Sequence, residues 1–238
     1  MLRTVLIYAV VILLAIIFIP YALEMQPSTE LSDLAKTYVE SSVEDLNSQN
    51  VVTSVVVTYR GLDTLGEVTV LFLATTGIGF LIKRRKKKAA GEIRRASEIL
   101  NAGSLFIFPI IILYGVYVFT HGHLTPGGGF QGGVLIASAF VLMMLSDVKA
   151  SLNHLILEVV EAISGFSYVL VAALGLFLLG SFLDPTFLPM GKFGRLLSAG
   201  AIPLIYTFVG LKVGAELTNI VDSLRAESTE PDTMEVEK

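Results

Sequence analysis

Residues 120–133 read THGHLTPGGGFQGG and stand between two apolar runs that are each long enough to cross a bilayer. Gly128/Gly132 and Gly129/Gly133 are two small-xxx-small pairs at the start of the second run. On a helix such pairs clear two adjacent strips of side chains, so a neighbouring backbone can approach closely. Whatever this chain folds into must therefore pack that helix tightly.

Composition places the motif in a membrane. Hydrophobic residues make up 53% of the chain and charged residues 16%, with a mean hydropathy of +0.73, more apolar than a soluble core of this length needs. A spanning helix takes about 20 mostly apolar residues. Six segments qualify: about Thr4–Leu23, Thr64–Ile82, Leu100–Thr120, Gly129–Leu145, Leu157–Phe182 and Leu197–Val221. The expected fold is an all-α polytopic membrane protein with both termini on one side. With no cysteine in the chain, disulfides, thiolate metal sites and cysteine nucleophiles are excluded.

Lys and Arg bias sets the expected orientation, because basic segments stay cytoplasmic. The run Lys83–Lys88 abuts a span and reads as a stop-transfer anchor; with it inside, Arg3, Arg94, Arg95, Lys149 and Arg225 fall inside too. Lys36, Arg60, Lys192 and Arg195 are left for the outer loops, and the termini are cytoplasmic. The first apolar run exceeds a signal-peptide core and is expected to be a retained helix. A boundary is expected at the basic run, giving segments 1–88, 89–224 and an acidic tail 225–238.

In the outer segment Glu24–Arg60, residues Leu31, Leu34, Tyr38 and Leu46 predict a short amphipathic helix. The β-branched run Val51–Thr58 is strand-like; alternatively the second span begins earlier. Residues 92–98 read as an interfacial helix.

Ionisable groups within spans are rare and raise functional hypotheses. Asp63 and Glu67 lie in Arg60–Glu67, just before an apolar run. Glu67 could complete a capping box with Thr64 or lie on an ion pathway. Lys212 and Glu216, four apart on the sixth span, share a face; they either snorkel or form a buried pair lining a hydrated path. The same stretch carries Gly210 and Gly214. His154, Glu158 and Glu161 share a face at the start of the fifth span, as dipole-favoured acids or as a proton-access cluster. His121 and His123 sit in a loop with no third ligand nearby, so no metal site is expected. Thr125 and Pro126 fit N-cap and N1 of the fourth span, whereas Gln131, one turn further on, has no capping role. Asp184-Pro185 reads as a turn.

The run His121–Gly133, with the GLKVGAELT ending at Gly210–Thr218, resembles the MnhB-type subunit of the Mrp/Mnh multisubunit cation/proton antiporters over about Glu92–Val221. Residues Tyr59–Glu67, YRGLDTLGE, resemble the C-terminal end of the large, A-type antiporter subunit, with Leu62 in place of an aromatic. The resemblance implies a fusion of the two, as suits archaeal respiratory complexes with a hydrogenase-like or sulfur-reducing arm. It further implies a membrane component that passes Na+ and H+ beside other membrane subunits, with Glu67 taking part in ion passage. A purely structural scaffold is the competing reading. No HExxH, nucleotide loop or clustered histidines point to a catalytic site or a cofactor.

Overall fold

A computed structural model describes residues 2–24, 30–84, 96–147 and 152–229. Eight α-helices follow in order among them: α1 Leu2–Glu24, α2 Asp33–Glu44, α3 Val51–Ser54, α4 Gly61–Arg84, α5 Glu98–Thr120, α6 Gly129–Ser146, α7 His154–Leu179 and α8 Ile202–Thr229. A π-helical stretch, Val55–Tyr59, joins α3 to α4, and a 3-10 turn, Pro185–Phe187, lies between α7 and α8. No strand occurs among the described residues. Helices α1, α4, α5, α6, α7 and α8 are each long and apolar enough to span a bilayer. The chain is an all-α, multi-pass membrane protein. Arg85–Arg95, Lys149 and the tail beyond Thr229 lie outside the described residues.

The chain divides into two compact units, Met1–Thr37 and Tyr38–Lys238. The first holds α1, apolar on all sides, and the start of α2. The second is built around α8, which packs against α4, α5, α6 and α7. Over half of α8's spanning window, 56%, is buried, against 11% for α4. Helix α8 is therefore the core of the bundle, and α4 lies at its edge.

Glycines set the closest approaches. A Cβ on Gly129 would meet Val209 of α8 at 2.7 Å, and one on Gly133 would meet the Gly210 carbonyl at 2.8 Å. Gly132 faces the other way: a Cβ on it would meet the Gly115 carbonyl of α5 at 2.6 Å. One on Gly128 would meet the Gln131 side chain at 2.9 Å and the Tyr206 ring at 3.2 Å. Gly210 accommodates the Phe119 ring, and Gly214 lies against Ile136. Helix α6 is thus wedged between α5 and α8 with backbones nearly touching, packing that lipid-facing helices achieve only with small residues.

Three local expectations are corrected. Val51–Thr58 is helical, not strand-like: Thr53, Ser54 and Val57 are all 0% exposed, a spacing one helical face can bury and a strand cannot. Asn50 caps α3 by accepting from the Thr53 N–H, and tertiary packing overrides β propensity. Helix α4 begins at Gly61, so Thr64 is already helical, and its hydroxyl donates to the Val56 carbonyl at 2.5 Å instead of closing a capping box with Glu67. Helix α6 begins at Gly129 with Gly128 as N-cap. Thr125 instead donates to the His121 carbonyl, which closes the turn before the helix.

Candidate functional site

Two polar assemblies lie along α8, one at its N-terminal end and one from its middle onward. At its N-terminal end, the backbone of the His121–Gly133 motif is held by residues 48–53. The His123 carbonyl accepts from the Gln49 and Asn50 N–H groups, both at 3.1 Å, and from the Ser48 hydroxyl at 3.2 Å. Asn50 Nδ2 donates to the carbonyls of Gly122 and Thr125. Thr53 Oγ1 donates to the Gly122 carbonyl at 2.6 Å and accepts from the Tyr206 hydroxyl at 3.1 Å. His123 is fully buried; its Nε2 lies 3.3 Å from the Arg195 carbonyl, and its Nδ1 has no partner. Burial depresses the His123 pKa, with the neighbouring Arg195 carbonyl acting in the opposite sense. His121 stacks on Tyr117, and Gln131 is exposed. This end is a hydrogen-bonded clamp joining the motif loop to α3 and α8.

The second assembly lies further along α8. Lys212 Nζ bonds Glu216 one turn on and stands 3.8 Å from Glu161 of α7. The ring of Phe72 on α4 lies 5.0 Å from the same ammonium, within cation–π range. A Cβ on Gly165 of α7 would stand 3.4 Å from Lys212 Cδ, so the lysine stem runs across a gap in α7's surface. Lys212 is 7% exposed and Glu216 1% exposed, and Glu216 Oε2 has no partner. Burying an ion pair is costly unless its remaining lone pairs are satisfied, and Glu216 Oε2 lacks that satisfaction.

Beyond Glu216, His154 joins α7 to α8, with Nδ1 3.2 Å from Asn219 Oδ1 and Nε2 3.0 Å from Asp222 Oδ2. Asn153 caps α7 and its first turn holds no acid, so Glu158 and Glu161 are placed by the helical face and do not serve as dipole caps. Two cavities of about 450 Å³ each meet here. One is lined by His154, Asn219, Ser223 and Glu216; the other by Phe72, Gly165, Tyr168 and Lys212; both share Glu158 and Glu161. Tyr168 is buried at the far end, its hydroxyl 3.5 Å from the Gly61 carbonyl.

The structure thus brings Lys212, Glu216, His154, Glu158 and Glu161 together. Glu67 is exposed in the second turn of α4 and lines neither cavity, though its charge reaches buried Tyr168 and Tyr206. Asp63 is exposed and paired with Arg60 at 2.5 Å. Phe72, Gly165, Asn219 and Asp222 belong to the cluster without having been singled out in the sequence. Asp222 alone carried a legible signal, a carboxylate at the very end of the sixth span. Among the described residues, no group of three or more His, Cys, Asp or Glu could hold a metal ion.

Residues 99–219 match a family model described as a domain related to the MnhB subunit of Na+/H+ antiporter. The chain belongs to this MnhB-related family. It is a membrane subunit of a Na+/H+ antiporter-type module. Residues 2–98 match a second model, that of the MbhE subunit of MBH. An uncharacterized protein of Methanocaldococcus jannaschii is 31% identical over 75% of this chain and 78% of its own length. A probable A/B-type K+/H+ antiporter subunit of Rhizobium meliloti is 28% identical over 54% of this chain, which spans 15% of that protein. Among solved structures, a chain of the archaeal membrane-bound sulfane sulfur reductase, a respiratory membrane complex, is 41% identical. It aligns with a TM-score of 0.78 over 94% of this chain and 98% of its own. A chain of the Mrp complex from Dietzia shares the fold at a TM-score of 0.76 and 24% identity, over 99% of this chain and 27% of its own.

Proposed function

We propose that this protein conducts ions within a redox-coupled respiratory complex, through the chamber around Lys212, and that its neighbours are other membrane subunits of that complex. The observation that carries the reading is the meeting of Lys212 and Glu216 of α8 with Glu161 of α7 between two cavities, Lys212 lining one, Glu216 the other and Glu161 both. A scaffold has no use for a buried charge cluster bordered by open volume, since intramembrane charges are expensive and mark ion routes. His154, held by Asp222, stands at the mouth, Glu158 and Glu161 form the passage, and the Lys212–Glu216 pair its inner end. The exposed Glu67 serves at a contact with a neighbouring protein of the complex, where a carboxylate on the outer face of a span finds a polar partner. The 41% identity to a chain of a sulfur-reducing respiratory complex supports the redox coupling. The basic run at 83–88 supports cytoplasmic termini.

The test is Glu216→Gln in the whole complex reconstituted in vesicles. Gln keeps the shape and can hydrogen-bond Lys212 but carries no charge. Assembly is expected to persist while Na+- or H+-coupled transport falls at least about tenfold, a barrier increase of about 1.4 kcal/mol. Wild-type transport in an assembled Glu216→Gln complex overturns the reading and leaves a scaffold.

A further inference from the structure

We infer that the Lys212 ammonium occupies a site for a hard monovalent cation, Na+ in particular, as a cation tethered to the protein. The inference deepens the ion-conducting reading and rests on it only for its role in turnover; the site itself stands on geometry. Glu158 and Glu161 line both cavities, Glu216 lines one and Lys212 the other; with no group of three His, Cys, Asp or Glu placed to hold a metal ion among the described residues, the site is the pair Glu161 and Glu216 around the Lys212 ammonium. The ammonium touches Glu216 and lies near Glu161, while Glu216 Oε2 remains buried without a partner. His154 and Asp222 neutralise each other at the mouth when the imidazole is protonated.

The lining supplies oxygen ligands. Besides the carboxylates, Thr75 and Ser223 donate their hydroxyl hydrogens to the carbonyls of Phe72 and Asn219, which leaves the hydroxyl oxygens' lone pairs free to accept. No thiolate is present in the chain. Carboxylate, hydroxyl and carbonyl oxygens suit hard cations. An ammonium and a hydrated alkali ion ask the same of Glu216, one positive charge at bonding distance, and cannot both satisfy it at one point.

The lysine is held so that it can leave. Its stem crosses α7 at Gly165, with no side chain to block it, and the Phe72 ring lies on the α4 side. Lys212 lines the cavity on the Phe72 side, and Glu216 lines the other. A rotation of the lysine toward Phe72 separates it from Glu216, preserves a favourable contact with the ring, and uncovers the carboxylate to an ion arriving past Glu158.

Removing the ammonium should therefore create measurable ion binding instead of merely abolishing activity. The experiment is equilibrium binding of radioactive Na+ to the intact purified complex, with choline chloride holding ionic strength constant, for wild type, Lys212→Met, and Lys212→Met combined with Glu216→Gln. The expected result is an apparent Na+ affinity at least about tenfold higher in Lys212→Met than in wild type, lost again in the double variant. If Lys212→Met assembles only when Na+ is present, that also supports the site. If it assembles in neither salt, Gly165→Leu, which pushes the stem aside without touching a carboxylate, replaces it, with the same gain expected. No gain in the assembled variant, or a gain that survives Glu216→Gln, overturns the inference. A transport defect in Glu216→Gln without any gain of Na+ binding in Lys212→Met refutes the tethered cation while keeping the conducting role, and the reverse result does the opposite.

Discussion

Replacing Gly132 by alanine tests the wedge of α6 with one carbon atom. The new Cβ would sit 2.6 Å from the Gly115 carbonyl oxygen and 2.9 Å from Phe119 atoms, against an ordinary carbon contact of about 3.5 Å or more. The shortfall approaches 1 Å, and the obstructing atom is backbone in the C-terminal part of α5, so relief requires that the helix itself move. Moving α5 disturbs Phe119, whose ring fills the space left by Gly210, so the strain spreads to α8. Overpacking of this kind costs about 1–3 kcal/mol. The same substitution at Gly66 on α4 would meet nothing within 4 Å and gains about 0.5–1 kcal/mol of helix preference. Thermal melts followed by circular dichroism on the detergent-purified protein should show Gly132→Ala lowered by several degrees, at about 2–4 °C per kcal/mol for a chain this long. Gly66→Ala should be unchanged or raised. If the two variants melt together, close backbone approach does not hold this bundle.

Other predictions concern the clamp and the orientation. Thr53→Val removes the donor to Gly122 and strands the buried Tyr206 hydroxyl, costing about 1–3 kcal/mol; a melt equal to wild type would discount the clamp. Because burial holds the His123 pKa below its unfolded value near 6.5, the unfolded chain binds the proton more readily. Its contribution to stability is complete above that value and is lost as pH falls toward the folded pKa. A His123→Gln variant should show a shallower loss of melting temperature than wild type between about pH 7 and pH 5, and parallel curves would refute the assignment. A single cysteine at Lys192, in a chain that otherwise has none, should react with an impermeant maleimide from outside the cell. Protection there, with labelling from the cytoplasmic side, inverts the orientation.

Apolar length and composition determined the six spanning helices. Partitioning into lipid depends on the summed hydrophobicity of about 20 consecutive residues, a property that needs no knowledge of neighbours. The i, i+4 spacing placed Lys212 beside Glu216, and His154, Glu158 and Glu161 along one face, because helical geometry is local. Residues far apart in the chain were joined only by tertiary packing. Glu161 meets Lys212 because α7 and α8 pack together, and Phe72 reaches it because α4 lies on the same side of α8. Gly165 looked like any glycine in a span until the lysine stem was seen against it. The β-branched run at 51–58 is helical for the same reason: β preference spans only about 1 kcal/mol per residue and changes with context. The hydrogen bonds from Asn50 and Thr53 to the motif loop, together with burial of Thr53, Ser54 and Val57 on one face, outweigh that. Glu67, which the motif made prominent, is exposed on α4 at the edge of the bundle, and a sequence does not say which helix will stand at the centre.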